Sequence, residues 1–196
     1  MKKFYSKGLW QFKTPEKIIY LTFDDGPIPE LTEWVLDELK KFNAKATFFC
    51  VGDNIIKNKS IFNRIVSEGH QIGNHTQNHI KGFHSNLEDY LSNTNSCEQL
   101  TKTKLFRPPY GQLRKSQYKA LLKANFTIVF WDVISYDYEK ITPKQCLKNV
   151  LRYTKNGSIV LFHDNIKAEK NMKYTLSNTL NYFSEKGYSF QSINVR

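Results

Sequence analysis

Lys17-Ile18-Ile19-Tyr20-Leu21-Thr22-Phe23-Asp24-Asp25-Gly26-Pro27 is the stretch on which the reading of the fold turns. After Lys17, its next six residues are β-branched, aromatic or apolar, which predicts a buried strand. The two carboxylates and the Gly-Pro pair end it abruptly, as a turn does. A hydrophobic strand thus delivers two acids to its C-terminal end.

The same grammar repeats outward along the chain. Further strands are predicted at 44–51, 71–74, 105–107, 126–131, 158–162 and 188–193. Between them, apolar residues recur at helical spacing: Leu31, Val35, Leu36 and Leu39, then Ile61, Ile65 and Val66 closed by Gly69. Later helices carry Leu87, Tyr90 and Leu91, then Tyr118, Leu121 and Leu122, then Cys146, Val150 and Leu151. A long one runs from Tyr174 to Phe183 and is closed by Gly187. Strands alternating with helices imply an α/β fold with a parallel sheet. No glycine-rich dinucleotide fingerprint follows the first strand, so a distorted (β/α) barrel of about seven strands is expected rather than a doubly wound sheet. No linker or repeat divides the chain. A single domain over 1–196 is expected, with its core at about 17–194.

Composition narrows the class. Of 196 residues, 40% are apolar and 24% charged, which is ordinary for a globular domain. Three cysteines, Cys50, Cys97 and Cys146, are an odd number without CxxC spacing, so neither a disulfide framework nor a cysteine metal site is expected. No stretch approaches the roughly 20 apolar residues of a membrane helix. Lys7, Gln11, Lys13 and Glu16 interrupt any signal-peptide core, which places the chain in the cytoplasm unless a longer form carries an export signal to the cell envelope. The +11 charge is spread along the chain and reads as a solvated surface. No nucleic-acid-binding motif accompanies it, so no nucleic-acid partner is expected. A monomer is the default.

The polar residues gather at strand ends. Asp24 and Asp25 follow the first strand, His75 and His79 the third, Arg107 and Tyr110 the fourth, Asp132 and Asp137 the fifth, and His163 the sixth. Barrel active sites are built at that rim. Each has a bland alternative: Asp-Gly-Pro is good turn chemistry, Arg107 suits a surface turn, and a lone His163 on an apolar strand suits the core. The shared rim favours a site. Two imidazoles at i and i+4 share one face of a helical turn, and with one carboxylate they form a three-ligand site open to water. The arginine's planar fork suits holding a carboxylate. His70 and His84 are read as structural.

In this order, Thr22-Phe23-Asp24-Asp25-Gly26-Pro27, His75-Thr76-Gln77-Asn78-His79, Arg107-Pro108-Pro109-Tyr110-Gly111 and Leu161-Phe162-His163 resemble the motifs of the polysaccharide deacetylase family (NodB homology domain, carbohydrate esterase family 4). The resemblance spans nearly the whole chain and implies a metal-dependent hydrolase that removes acetyl groups from an N-acetylated sugar such as peptidoglycan or chitin. It assigns Asp24 as base, His163 as acid, and Asp25, His75 and His79 as ligands of a divalent cation. Zn2+ is the default, with Co2+, Ni2+ or Mn2+ as substitutes. Arg107 would orient Asp24, and the Tyr110 backbone N–H would bind the oxyanion. Leu161, Pro109, Trp131 and Tyr138 would meet the substrate. One departure stands out. The family's fourth motif carries an aspartate that pairs with the acid histidine, and Ile134 aligns there, so Asp132 or Asp137 must substitute or His163 lacks a partner. Three rivals remain: a glycan-binding module without turnover, a deacetylase of O-acetyl or non-sugar amide substrates, and a non-haem iron oxygenase with the same ligand types.

Overall fold

A computed structural model describes residues 2–194. Among these residues, eight strands and seven α-helices follow one another in largely alternating order. The strands are β1 (Ile18–Asp24), β2 (Thr47–Cys50), β3 (Gln71–Asn74), β4 (Leu105–Phe106), β5 (Thr127–Ile128), β6 (Val133–Ile134), β7 (Ile159–His163) and β8 (Ser189–Phe190). The helices are α1 (Leu31–Lys41), α2 (Gly52–Lys57), α3 (Lys59–Ser67), α4 (Leu87–Thr101), α5 (Lys115–Lys123), α6 (Pro143–Tyr153) and α7 (Glu169–Glu185). Seven strands form one curled parallel sheet in the order β5-β4-β3-β2-β1-β7-β6, and β8 adds to the start of β1. The expected distorted barrel is a half-barrel.

Side-chain alternation sorts the layers. From β1, Ile19, Leu21 and Phe23 point outward into the core under the helices, with Phe48, Val160, Phe162, Leu36 and Leu176. On the concave side lie Phe49, Leu105, Val129 and Ile159. Thr22 and Asp24 alternate onto that concave side. Gly73 permits the curl at β3, since a Cβ there would lie 2.2 Å from the Phe49 ring.

Three expectations change. The fifth strand is predicted over 126–131 but ends at Ile128. The Val129 and Phe130 carbonyls are taken by the Arg107 guanidinium instead (3.3 and 3.0 Å), and the Phe130 N–H donates to the Leu9 carbonyl. The next residues form β6, an unexpected short strand against β7. The core also begins well before residue 17. Leu9 bridges Val129 and Gln11 bridges Ser158, so this segment lies across the open side of the half-barrel. Trp10 stacks on Phe130 at 4.2 Å, and Tyr5 stacks on its ring at 5.0 Å. A polar, lysine-rich lead-in hides this role: Tyr5 is buried and Leu9, Trp10 and Phe12 are half-buried, while Phe4 and the lysines are exposed.

Candidate active site

Strand register sets the site. In the β1–β7 pair Asp24 stands level with His163, and in the β1–β2 pair it stands level with Phe49. Both functional side chains therefore emerge on the concave face at the same height. A cavity of about 530 Å³ opens there, bordered by Asp24, Asp25, His75, His79 and His163.

Asp24 is buried, and its Oδ1 accepts from Arg107 Nη1 at 2.7 Å. Arg107 is entirely buried. Its other donors reach the Thr22 hydroxyl (2.8 Å) and the two β5-end carbonyls, and its plane lies 4.1 Å from the Phe49 ring centre. This fork is why an arginine is required: its rigid, planar N–H donors satisfy one carboxylate oxygen and three further oxygens in a fully buried place. Removing either partner would leave an uncompensated buried charge.

Asp25 turns the chain sharply, at φ 90°. Its carbonyl accepts from Asn54 Nδ2 (2.7 Å), and its Oδ2 accepts from Asn165 Nδ2 (2.5 Å). Burial opposes its ionisation, but the neighbouring imidazoles of His79, His75 and His163 outweigh it and hold the carboxyl well below the usual range. His75 and His79 do not lie on a helical turn, as the spacing suggests. The segment is a loop, with Thr76 at φ 67° and His79 at φ 57°. The Asn74 Oδ1 accepts from the Thr76 N–H and the Thr76 hydroxyl from the Ile80 N–H, which takes the place of helical hydrogen bonding. The loop still brings the rings together, with centres 5.0 Å apart. His75 Nδ1 donates to the Arg107 carbonyl at 2.8 Å, leaving Nε2 unprotonated, its lone pair free beside Asp25 Oδ1 at 3.6 Å. Burial pushes His75 down to about 4, so the ring is neutral.

One atom in each of Asp25, His75 and His79 lies within 4.8 Å of the others. The Asp25 Oδ1 is buried with no hydrogen-bond partner, 3.2 Å from His79 Nε2 and 3.6 Å from His75 Nε2. An orphaned carboxylate oxygen beside two imidazoles, one with its tautomer fixed from behind, is a donor set that could hold a divalent cation. The residues fit the group.

His163 has its partner. The Asp137 carboxylate, fully buried, takes the His163 Nδ1 hydrogen at 2.8 Å and the His163 backbone N–H at 2.8 Å. Burial opposes protonation of the ring, but Asp137's charge and hydrogen bond, with Asp24 and Asp25 adding to them, push it up to about 9. The possibility of an unpaired histidine is overturned. Asp132 is not the partner either; it caps the start of β7 by accepting from the Ile159 N–H (2.7 Å) and the Ser158 hydroxyl (2.9 Å). Ile134 instead lines the cavity from β6.

Tyr110 (φ 60°), Trp131, Tyr138 and Leu161 border the same cavity. Tyr110 meets His79 edge-on at 4.7 Å and Tyr138 meets His163 edge-on at 4.8 Å. Pro109, expected among the substrate contacts, is buried behind this wall and does not border the cavity, because the 3-10 turn at Pro109–Gly111 faces it inward. Asn165, Lys167 and Gln112 border the cavity without having been expected there. Asn165 and Lys167 follow His163 closely, so the loop after the sixth strand was their one available signal.

The arrangement suits a hydrolase that works with one cation. The polysaccharide deacetylase model matches residues 11–129. The chain is 34% identical over 191 residues to a peptidoglycan-N-acetylglucosamine deacetylase of Bacillus cereus, covering 94% of this chain and 90% of that one. It is 33% identical over 183 residues to the peptidoglycan-N-acetylglucosamine deacetylase PgdA of Listeria monocytogenes, of whose length it spans 38%. The crystal structure of the Bc1960 peptidoglycan N-acetylglucosamine deacetylase, complexed with a hydroxamate-type benzamide, superposes with a TM-score of 0.90 at 32% identity, covering 95% of this chain and 91% of that one. The chain belongs to the polysaccharide deacetylase family. It is accordingly a deacetylase, a hydrolase of carbon–nitrogen bonds other than peptide bonds.

Proposed function

We propose that the protein deacetylates N-acetylglucosamine units of a polysaccharide, with peptidoglycan ahead of chitin oligomers as its substrate. The observation that carries this is the level placement of Asp24 and His163 on neighbouring strands, opening on the cavity that holds the Asp25, His75 and His79 cluster. The substrate ranking rests on the named activities of the relatives.

Asp25, His75 and His79 would hold the cation, with Zn2+ the favoured ion, and it would supply Lewis acidity toward the acetamide carbonyl and acidify water. The chain's own groups do the rest. Arg107 fixes Asp24 through Oδ1, leaving Oδ2 to accept the proton of the attacking water. Water's oxygen bonds to the carbonyl carbon, and the Tyr110 backbone N–H stabilises the oxyanion. When the C–N bond breaks, the His163 imidazolium gives its Nε2 proton to the amine nitrogen. Without that proton the leaving group would be an amide anion. Acetate and a free amino sugar result. Leu161 and Trp131 would pack the acetyl methyl and the sugar.

Acetate release from peptidoglycan and from N-acetylglucosamine oligomers, with and without a chelator, tests this reading. Chelator-sensitive release that Asp24→Asn lowers by at least about a hundredfold is the expected result. Metal-loaded protein that releases no acetate from either sink would point to a binding module instead.

A further inference from the structure

His163, Asp164 and Asn165 are consecutive, and each is tied to the rest of the site differently. The Asp164 N–H donates to the Asp24 carbonyl at 3.1 Å. Its buried carboxylate accepts from the Gly26 N–H at 3.0 Å and the Thr32 hydroxyl at 2.5 Å. The loop after β7 is therefore strapped to the loop after β1, and Asn165 stands at the end of the strap.

The Asn165 side chain makes two hydrogen bonds, and its backbone carbonyl shares the Ala168 N–H at 3.1 Å. Its Oδ1 accepts from the Ala168 N–H at 3.0 Å, at the entry to α7, and its Nδ2 donates to Asp25 Oδ2 at 2.5 Å. The first sets the second. An amide whose oxygen is committed to a backbone N–H has only its NH2 to turn toward Asp25. One oxygen of Asp25 is thus occupied by a donor. The other is the buried, unpartnered Oδ1 that faces both imidazoles.

We propose that Asn165 is a positioning residue of the metal site, holding Asp25 as a one-oxygen ligand by occupying Oδ2 and aiming Oδ1 at the cation position. The inference rests on the reading of Asp25, His75 and His79 as the ligands. A carboxylate that binds through both oxygens fills an extra coordination position. Restricting Asp25 to one oxygen keeps room for water and the acetamide carbonyl, which a catalytic site must leave open. Asparagine is suited to this place because it presents a donor and an acceptor without adding charge beside Asp25.

The test compares wild type, His79→Ala, Asn165→Ala and Asn165→Asp. Zn2+ affinity is read by competition with a chromophoric chelator, and the Co2+-loaded proteins are compared by visible absorption, which reports coordination number. Asn165→Asp keeps an acceptor for the Ala168 N–H and removes the donor to Asp25, so it separates positioning from the loop turn. Both Asn165 variants are expected to bind Zn2+ roughly 10–100-fold more weakly and to alter the Co2+ spectrum. Zn2+ affinity in Asn165→Asp equal to or above that of wild type, with an unchanged Co2+ spectrum, overturns the proposal. Wild type that binds no Zn2+, or His79→Ala that binds it as wild type does, would overturn the underlying ligand assignment as well.

Discussion

Asp137 commits both carboxylate oxygens to one residue, and the consequence is a titration. His163 is protonated below about 9 in the metal-free fold because Asp137's attraction exceeds the cost of burial. A cation on the neighbouring ligands pulls that value down, since a positive charge disfavours the imidazolium. Activity should therefore fall on an alkaline limb below pH 9 as the acid loses its proton. In Asp137→Asn the largest raising interaction is gone while burial remains and only the weaker pull of Asp24 and Asp25 opposes it. The limb should then move toward or below the ordinary histidine value of about 6.5. A pH–rate profile whose alkaline limb stays in place in Asp137→Asn would remove His163 from the role of acid.

At the scale of elements, the segment before β1 acts as a seam. The half-barrel leaves the β5 end and the start of β7 apart, and residues 9–12 hydrogen-bond to both: the Leu9 N–H to the Ile128 carbonyl and the Phe12 N–H to the Gly157 carbonyl, each at 2.8 Å. Trp10 fastens the seam by stacking on Phe130, the residue whose carbonyl holds Arg107. Trp10→Ala should cost at least about 1 kcal/mol, the part aromatic pairs add beyond buried area. Denaturant melts read the loss, and a midpoint equal to that of wild type would show that the seam carries no stability. The loop after β3 shows how an element can differ from its sequence pattern and still bring the same side chains together. HxxxH at i and i+4 gathers on a helix, yet here two left-handed residues and the Asn74 and Thr76 side chains bring the same rings together.

For the whole molecule, the cation should be a stabiliser as well as a cofactor. The three ligands come from the loops after β1 and β3, which the unfolded chain does not hold together. Ion at about 100 times its dissociation constant should add about 2.7 kcal/mol. In a chain of this size that corresponds to about 5–10 °C in melting temperature. Calorimetry with Zn2+ and with a chelator measures it; identical melting temperatures in the two would mean that the cluster binds no ion. Among the described residues no helix is long and apolar enough to cross a membrane.

Much of this site is legible in the chain itself. Alternation along 17–23 and 158–162 fixes which side chains face the concavity, and the strand–helix rhythm puts Asp24, Asp25, His75, His79, Arg107 and His163 on one rim. These are local properties, set by backbone period and side-chain polarity. The choice of Asp137 over Asp132 is not local. Both acids follow the same strand as the sequence is read, and the left-handed turn at Tyr136 together with the β6–β7 pairing sends one to His163 and the other to the start of β7. Asn165, the inward burial of Pro109 and the seam at residues 9–12 were hidden for the same reason. Their roles depend on which donor meets which acceptor once distant strands are in register, and the chain carries that only through its tertiary structure.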